Sequence, residues 1–383
     1  MSLRVALGAY LLSGIPGYRQ AGIHHYIRAL LAHLPLVAQN MHMSAFISPT
    51  ARHEVVDSSW QAPPFELISA PYSTESPYKR IWVEQWFTPI KVQHIEAQIY
   101  HSLAFALPVG LKCKQVVTIY DLSFLTQPQT HKVFNRVYLN LMTKWACQKA
   151  DHIITISEFT KKDVMRHYGI DQNKITATPL GVDNHYYRRG DEEIAQFKTT
   201  KNIHTPAIFY LGSLEPRKNL ITLISAFAQL HHLQPNVKLY IGGSMGWKYG
   251  DIFAQVKAYG IEQAVTFLGR IDSLELPQWY SMCDVFTYPS LYEGFGLPPL
   301  EAMACGAPVI TSDATSLPEV VGDAGLMIDP TNASALARAI EKVLFDKNLQ
   351  MNMREKGIAR ARSFTWQNTA RQTVEVYKYL EKG

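Results

Sequence analysis

Val285-Phe-Thr-Tyr-Pro-Ser-Leu-Tyr-Glu-Gly-Phe-Gly-Leu-Pro-Pro-Leu-Glu-Ala-Met-Ala304, continuing as Cys-Gly-Ala-Pro-Val-Ile310, is the most informative stretch of the chain. Val285–Tyr288 is a short apolar and aromatic run of the kind that forms a buried parallel strand. The glycines at 294 and 296 supply a tight turn, and Leu300–Ala304 are good helix formers. Strand, glycine turn and helix form the repeating piece of a doubly wound α/β sheet, where ligands sit beyond the carboxyl ends of the strands. A helix N-terminus behind such a turn offers unpaired backbone N–H groups and a positive dipole end, which suits phosphate or sugar hydroxyls. Two carboxylates, Glu293 and Glu301, flank the turn eight positions apart and can reach different parts of one extended ligand. Gly-x-Gly is followed here by Leu-Pro-Pro instead of the third glycine of a dinucleotide fold, which disfavours a dehydrogenase.

The same rhythm extends in both directions. Short apolar runs at Arg4–Tyr10, Met43–Ile47, Gln98–His101, Gln115–Tyr120 and His152–Ile156 are each followed by a helical pattern. It repeats at Ala207–Leu211, Lys238–Ile241, Val265–Leu268, Val285–Tyr288 and Pro308–Thr311. Alternation of this kind predicts two α/β domains with parallel sheets covered on both faces. A proline–glycine turn in Thr178-Pro-Leu-Gly-Val-Asp places the first domain at 1–183 and the second at 184–366. The remaining 367–383, with Val374, Tyr377 and Leu380 at helical spacing, is read as a helix packing back on the first domain.

Composition agrees: 383 residues, 47% hydrophobic and 18% charged, suit two globular domains and exclude a disordered tail or a coiled coil. The net charge of +5 is uneven, with 17 Lys and Arg against 12 Asp and Glu in 1–184, and 20 against 20 in 185–383. Cys113, Cys147, Cys283 and Cys305 lie far apart, without the spacing of a zinc site or the density of a disulfide scaffold, and fit a reducing compartment. The opening residues lack a signal-peptide pattern and no apolar run is long enough to span a bilayer, so a cytoplasmic location is expected.

Glu293 to Glu301, in Glu-Gly-Phe-Gly-Leu-Pro-Pro-Leu-Glu-Ala-Met-Ala, resembles the Glu-x7-Glu signature of retaining GT-B glycosyltransferases of family 4 (group 1). The resemblance covers nearly the whole chain, through Val117-Thr-Ile-Tyr-Asp-Leu, Ile153-Ile-Thr-Ile-Ser-Glu, Pro179-Leu-Gly-Val-Asp, Leu211-Gly-Ser-Leu-Glu-Pro-Arg-Lys-Asn and Phe267-Leu-Gly, in the family's order. It implies two Rossmann-like domains facing across a cleft, and transfer of a hexose from a nucleotide diphosphate sugar. GDP-mannose is favoured over UDP-glucose, and the acceptor is a glycan, a lipid-linked saccharide or another small hydroxyl compound. A sugar-nucleotide epimerase of the same fold and a non-catalytic binding protein are the alternatives.

The resemblance also implies roles. Glu293 would bond the transferred sugar near the reacting carbon and Glu301 the ribose diol, since a carboxylate accepts from two neighbouring hydroxyls. Gly294, Phe295, Gly296 and Leu297 would line the sugar, Gly22 would approach the donor phosphates, and Gly212 and Ser213 would bind the donor. Arg217 and Lys218 would stabilise the departing diphosphate, a task two fixed cations perform without a metal. No Asp-x-Asp occurs, and no metal or cofactor is expected. Tyr120 stands where the family usually has histidine, so His101 and Asp121 are the remaining catalytic candidates, Asp121 to orient the acceptor hydroxyl. Gly14 and Gly17 precede Gly22 in a long loop.

Trp82, Trp86 and Phe87, with Lys79, Arg80 and Lys91, stand at near-helical spacing and suit either a buried helix, the reading preferred, or a membrane surface. The basic excess falls in the half assigned to the acceptor. It favours an anionic, membrane-attached acceptor with peripheral contact at the inner membrane face, and disfavours nucleic acid.

Overall fold

The computed structural model describes residues 2–15, 22–55, 58–127, 133–247 and 249–382. Cα packing divides the chain into two units, Met1–Gly181 together with Thr365–Gly383, and Val182–Phe364. Both junctions lie two residues before the ends expected at 183 and 366.

In the first unit the strands are β1 (Leu3–Gly8), β2 (Met41–Ile47), β3 (Gln61–Ala62), β4 (Phe65–Ser69), β5 (Ile99–Ser102), β6 (Lys114–Ile119), β7 (His152–Thr155) and β8 (Ile175–Ala177). They form one sheet in the order β3-β4-β2-β1-β5-β6-β7-β8, parallel throughout except for the antiparallel edge pair β3–β4. The order reverses between β1 and β5, so the loops following these two strands diverge and open a crevice at their carboxyl ends. The helix Gly22–Val37 packs against the C-terminal helix Trp366–Lys382. That last helix buries Trp366, Ala370, Val374, Tyr377 and Leu380, a 3.6-residue stripe which completes the unit.

The second unit carries β9 (Ala207–Leu211), β10 (Lys238–Gly242), β11 (Val265–Gly269), β12 (Val285–Tyr288), β13 (Val309–Ser312) and β14 (Leu326–Ile328). Its all-parallel order is β11-β10-β9-β12-β13-β14, the doubly wound arrangement with its reversal between β9 and β12. Phe209, Tyr210, Phe286 and Tyr288 on these two central strands are wholly or almost wholly buried. Tyr210 and Tyr288 stack with centroids 5.9 Å apart and planes 18° from parallel.

Candidate active site

The reversal in the second sheet decides which side chains meet. The loop after β9 delivers Arg217 and Lys218 on the short helical turn Pro216–Lys218, and the loop after β12 delivers Glu293. Lys218 Nζ donates to Glu293 Oε1 at 2.6 Å and to the Tyr288 hydroxyl at 2.6 Å. Arg217 Nη1 donates to Glu293 Oε2 at 3.1 Å, and Nη2 donates to Glu215 Oε1 at 2.8 Å. Tyr288 and Ser290 hydroxyls add bonds to Glu293 Oε1 at 3.0 and 2.7 Å. Burial alone would raise the Glu293 pKa, but Lys218, Arg217 and the hydroxyl bond outweigh it and hold the carboxyl at about 2. Burial in turn pushes the Lys218 ammonium below its usual range, against the pull of Glu293. Two carboxylates and two cations thus sit in one formally neutral cluster, with Glu293 and Lys218 buried and Glu215 and Arg217 half-buried.

The backbone around this cluster is tied as firmly as the side chains. Glu293 N–H donates to Thr315 Oγ1 at 3.0 Å, and the Ser316 hydroxyl lies 2.9 Å from the Glu293 carbonyl and 2.7 Å from that of Phe295. Gly296, at φ 117°, turns the chain into the helix Leu297–Ala304, and a Cβ there would come within 2.7 Å of Leu317. That helix begins at Leu297 because its two prolines occupy the first turn, where no N–H is needed. Glu301 lies within it, buried, accepting from the Tyr280 hydroxyl at 2.9 Å. Burial raises its pKa to about 7, aided by Asp183 and opposed by bonds from Tyr280 and Tyr186. At the end of β9, Gly212 leaves no room for a side chain, since a Cβ would lie 2.6 Å from the Tyr210 hydroxyl. That hydroxyl is wholly buried and has no hydrogen-bond partner among the described residues. Ser213 follows in the same turn.

In the first unit the sequence-derived candidates part company. His101 on β5 is completely buried, its Nδ1 2.6 Å from the Tyr377 hydroxyl and its Nε2 2.8 Å from Thr118 Oγ1. Burial lowers its pKa to about 3. Both ring nitrogens are used inside the protein, so His101 pins the C-terminal helix to the sheet, a structural post in place of the catalytic one expected. Tyr120 likewise turns inward and donates to the Leu103 carbonyl at 2.6 Å, edge-on to Tyr26. Asp121 Oδ1 accepts from Ser123 N–H at 2.8 Å at the start of the turn Ser123–Thr126. Gly22 opens its helix at φ 25°, with nothing among the described residues within 4 Å of where a Cβ would stand. Gly14 is held against the loop after β2, where a Cβ would meet the Thr50 carbonyl at 1.7 Å. Gly17 lies outside the described residues.

Residues 191–360 match the family described as glycosyl transferases group 1, and residues 21–186 match glycosyltransferase family 4. O-antigen chain mannosyltransferase B of Escherichia coli is 35% identical over 286 residues, 74% of this chain and 74% of the relative. The chain belongs to the family 4 (group 1) glycosyltransferases. The serotype-specific mannosyltransferase WbdA of Escherichia coli is 31% identical over 254 residues, 64% of this chain and 31% of that longer protein. Among solved structures, sucrose-phosphate synthase from Thermosynechococcus elongatus superposes with a TM-score of 0.78 at 24% identity, over 99% of both chains. Anabaena HepE in complex with UDP and glucose superposes with a TM-score of 0.73 at 20% identity, over 98% of this chain and 100% of that one. The architecture is GT-B, and the protein is a glycosyltransferase.

Within the candidate site, Glu215, Tyr288, Ser290 and Tyr280 are not singled out by the sequence. Tyr288 enters the sequence reading only as the last residue of the strand Val285–Tyr288, and both tyrosine rings are buried. The available signal was position: Tyr288 is the last residue of its strand, at the carboxyl end where ligands gather.

Proposed function

We propose that this glycosyltransferase moves a mannosyl group from GDP-mannose, in preference to a glucosyl group from UDP-glucose, to a hydroxyl of a glycan or lipid-linked saccharide, with retention and without a metal. The observation that carries the reading is the neutral cluster of Glu215, Arg217, Lys218 and Glu293 at the reversal between β9 and β12. A diphosphate entering this cluster competes with Glu293 for the two cations. Arg217 and Lys218 turn to the phosphates, and the Glu293 carboxylate becomes available to the sugar. Mannose as the donor sugar is supported by the mannosyltransferase names of the relatives.

In the reaction the bond from the anomeric carbon to the diphosphate oxygen breaks and the acceptor oxygen bonds to the same face of that carbon. The acceptor's proton passes to the departing phosphate oxygen. Charge accumulates on the diphosphate as the bond breaks, and preorganised cations stabilise it more in the transition state than in the ground state. Glu301 suits the ribose diol, with Gly294, Phe295, Gly296 and Leu297 along the sugar and Gly22, Gly212 and Ser213 near the phosphates. The Tyr210 hydroxyl, without a partner among the described residues, lies beneath Gly212 and would add a polar group there. Asp121 would orient the acceptor hydroxyl.

The test is a thermal-shift panel of nucleotide sugars, followed by turnover with the one that stabilises most. GDP-mannose is expected to give the largest shift. Proton NMR of the product should show the donor's anomeric configuration, and activity should survive EDTA. Inverted product, loss of activity to EDTA, or preference for a uridine donor each overturns the corresponding part.

A further inference from the structure

Glu301 is held by a different chemistry from Glu293. Glu293 sits between two cations, whereas Glu301 Oε2 accepts from the Tyr280 hydroxyl at 2.9 Å and the Tyr186 hydroxyl faces the same carboxyl. Tyr280 is completely buried, and Tyr186 and Glu301 are nearly so. The two tyrosine rings meet edge-on with centroids 6.1 Å apart, and Tyr280 is fixed from its other sides by Phe209 and Phe286, at 5.6 and 5.3 Å. Three elements converge here: the segment 183–189, the helix Leu276–Met282 and the helix Leu297–Ala304. Ser281 ties them together, its Oγ accepting from Arg189 N–H at 3.1 Å and donating to the Cys305 carbonyl at 3.3 Å. His185 stacks on the Tyr186 ring at 4.1 Å and keeps it in place.

Packing alone does not call for these hydroxyls. Phenylalanine would fill the same space, and a buried phenol needs a hydrogen-bond partner that a plain ring does not. Nor do the phenols neutralise Glu301, since they are uncharged and burial still carries the carboxyl to about 7. Neutral donors instead fix the plane of the carboxylate and occupy part of its acceptor capacity. An ionised carboxylate offers about four lone-pair sites, so two phenols leave room for two more donors. Adjacent hydroxyls on one sugar ring supply a pair at the right spacing. Neutrality also matters when a diphosphate arrives. A cation holding Glu301 would be drawn to the phosphates, as Arg217 and Lys218 are in the proposed reaction. A tyrosine hydroxyl feels no such pull, so Glu301 keeps its place while Glu293 is released.

We infer that Tyr280, assisted by Tyr186, is a positioning residue for the nucleotide, holding the Glu301 carboxylate in the orientation that receives both hydroxyls of a ribose, a role that rests on the assignment of Glu301 to that diol. The test is calorimetric titration of the full chain with GDP and 2′-deoxy-GDP, and with UDP and 2′-deoxy-UDP alongside, read as the ratio of the two affinities in each pair. The wild type should favour the ribose form of one pair by about tenfold or more, the worth of a hydrogen bond to a charged group. Tyr280→Phe should bring that ratio to about threefold or less, and Tyr186→Phe should lower it in part, while both bind the 2′-deoxy form within about threefold of the wild type. A role confined to packing would weaken both forms equally and leave the ratio unchanged. Loss of a phenol donor also raises the Glu301 carboxyl, with Asp183 and Cys305 still beside it, so the pH at which the ribose preference sets in should move upward in Tyr280→Phe. The two variants lie on separate elements, so misfolding of one leaves the other to decide. Glu301→Gln is the control. If it keeps the wild-type ratio, or if the wild type shows no preference in either pair, the assignment of Glu301 and the inference fall together. If it loses the ratio while both tyrosine variants keep theirs, the inference alone falls and Glu301 reads the ribose unaided.

Discussion

Glu293 is held by four side chains because a buried carboxylate without cations would be protonated. Removing it leaves the buried Lys218 and the half-buried Arg217 without their shared carboxylate, and breaking a buried pair in this way costs about 3–5 kcal/mol. Glu293→Gln should therefore lower the melting temperature and abolish turnover, yet tighten binding of the free nucleoside diphosphate, which no longer competes for the cations. Calorimetric titration reads that gain directly. The ion pair also sets acid stability: with a carboxyl held at about 2, its contribution is complete above the ordinary carboxylate range and disappears as pH falls toward 2. Glu301 has the opposite sign. Raised to about 7, it favours the fold below the ordinary carboxylate range and loses that advantage as pH rises through 7. If it accepts the ribose diol as a carboxylate, donor KM should fall between pH 6 and pH 8, and Glu301→Gln should flatten that dependence. Parallel profiles for the two proteins would remove Glu301 from the ribose.

The elements around the site allow few changes. Gly296→Ala forces a side chain into both a left-handed conformation and the Leu317 methyl, and should cost about 1–3 kcal/mol while tilting the start of the helix Leu297–Ala304. Gly212→Ala meets the Tyr210 hydroxyl, so Tyr210→Phe should recover part of the lost stability in the double variant, a coupling that a thermodynamic cycle measures. Neither coupling is visible before folding, because both join residues through space across a turn. The long β-branched and aromatic runs were legible as strands, most within a residue or two of their ends. β4, β8 and β14 were not: Phe65–Ser69, Ile175–Ala177 and Leu326–Ile328 are three to five residues long and take their strand identity from neighbours in the sheet. The π turn Val83–Phe87 was also illegible, since aromatic spacing at 82, 86 and 87 fits a helix facing either way, and Trp82 and Trp86 are exposed where a buried helix was expected. His101 and Tyr120 show the same limit at the site, because a polar residue at a strand end looks alike whether it faces ligand or core.

At the scale of the molecule, the first unit depends on residues that arrive last in the sequence. Tyr377→Phe strands the Nδ1 of His101 in the core and should cost about 1–3 kcal/mol. Its loss should appear in the first unit alone, leaving nucleotide-sugar stabilisation of the second unchanged. Cutting the chain after Phe364 removes Trp366, Val374 and Tyr377 together, and the first unit should then aggregate while the second stays folded, as limited proteolysis would show. The chain leaves the first unit at Gly181, where any side chain would strike the backbone of Thr365 and Trp366, and re-enters it at that point. During synthesis this sets an order of events. The second unit is complete on the ribosome once Phe364 emerges, but the first, although made earlier, waits with the apolar face of the helix Gly22–Val37 uncovered until Leu380 is released. The nascent chain therefore needs protection longest at its oldest part, and slowing translation through Val182–Phe364 prolongs that exposure.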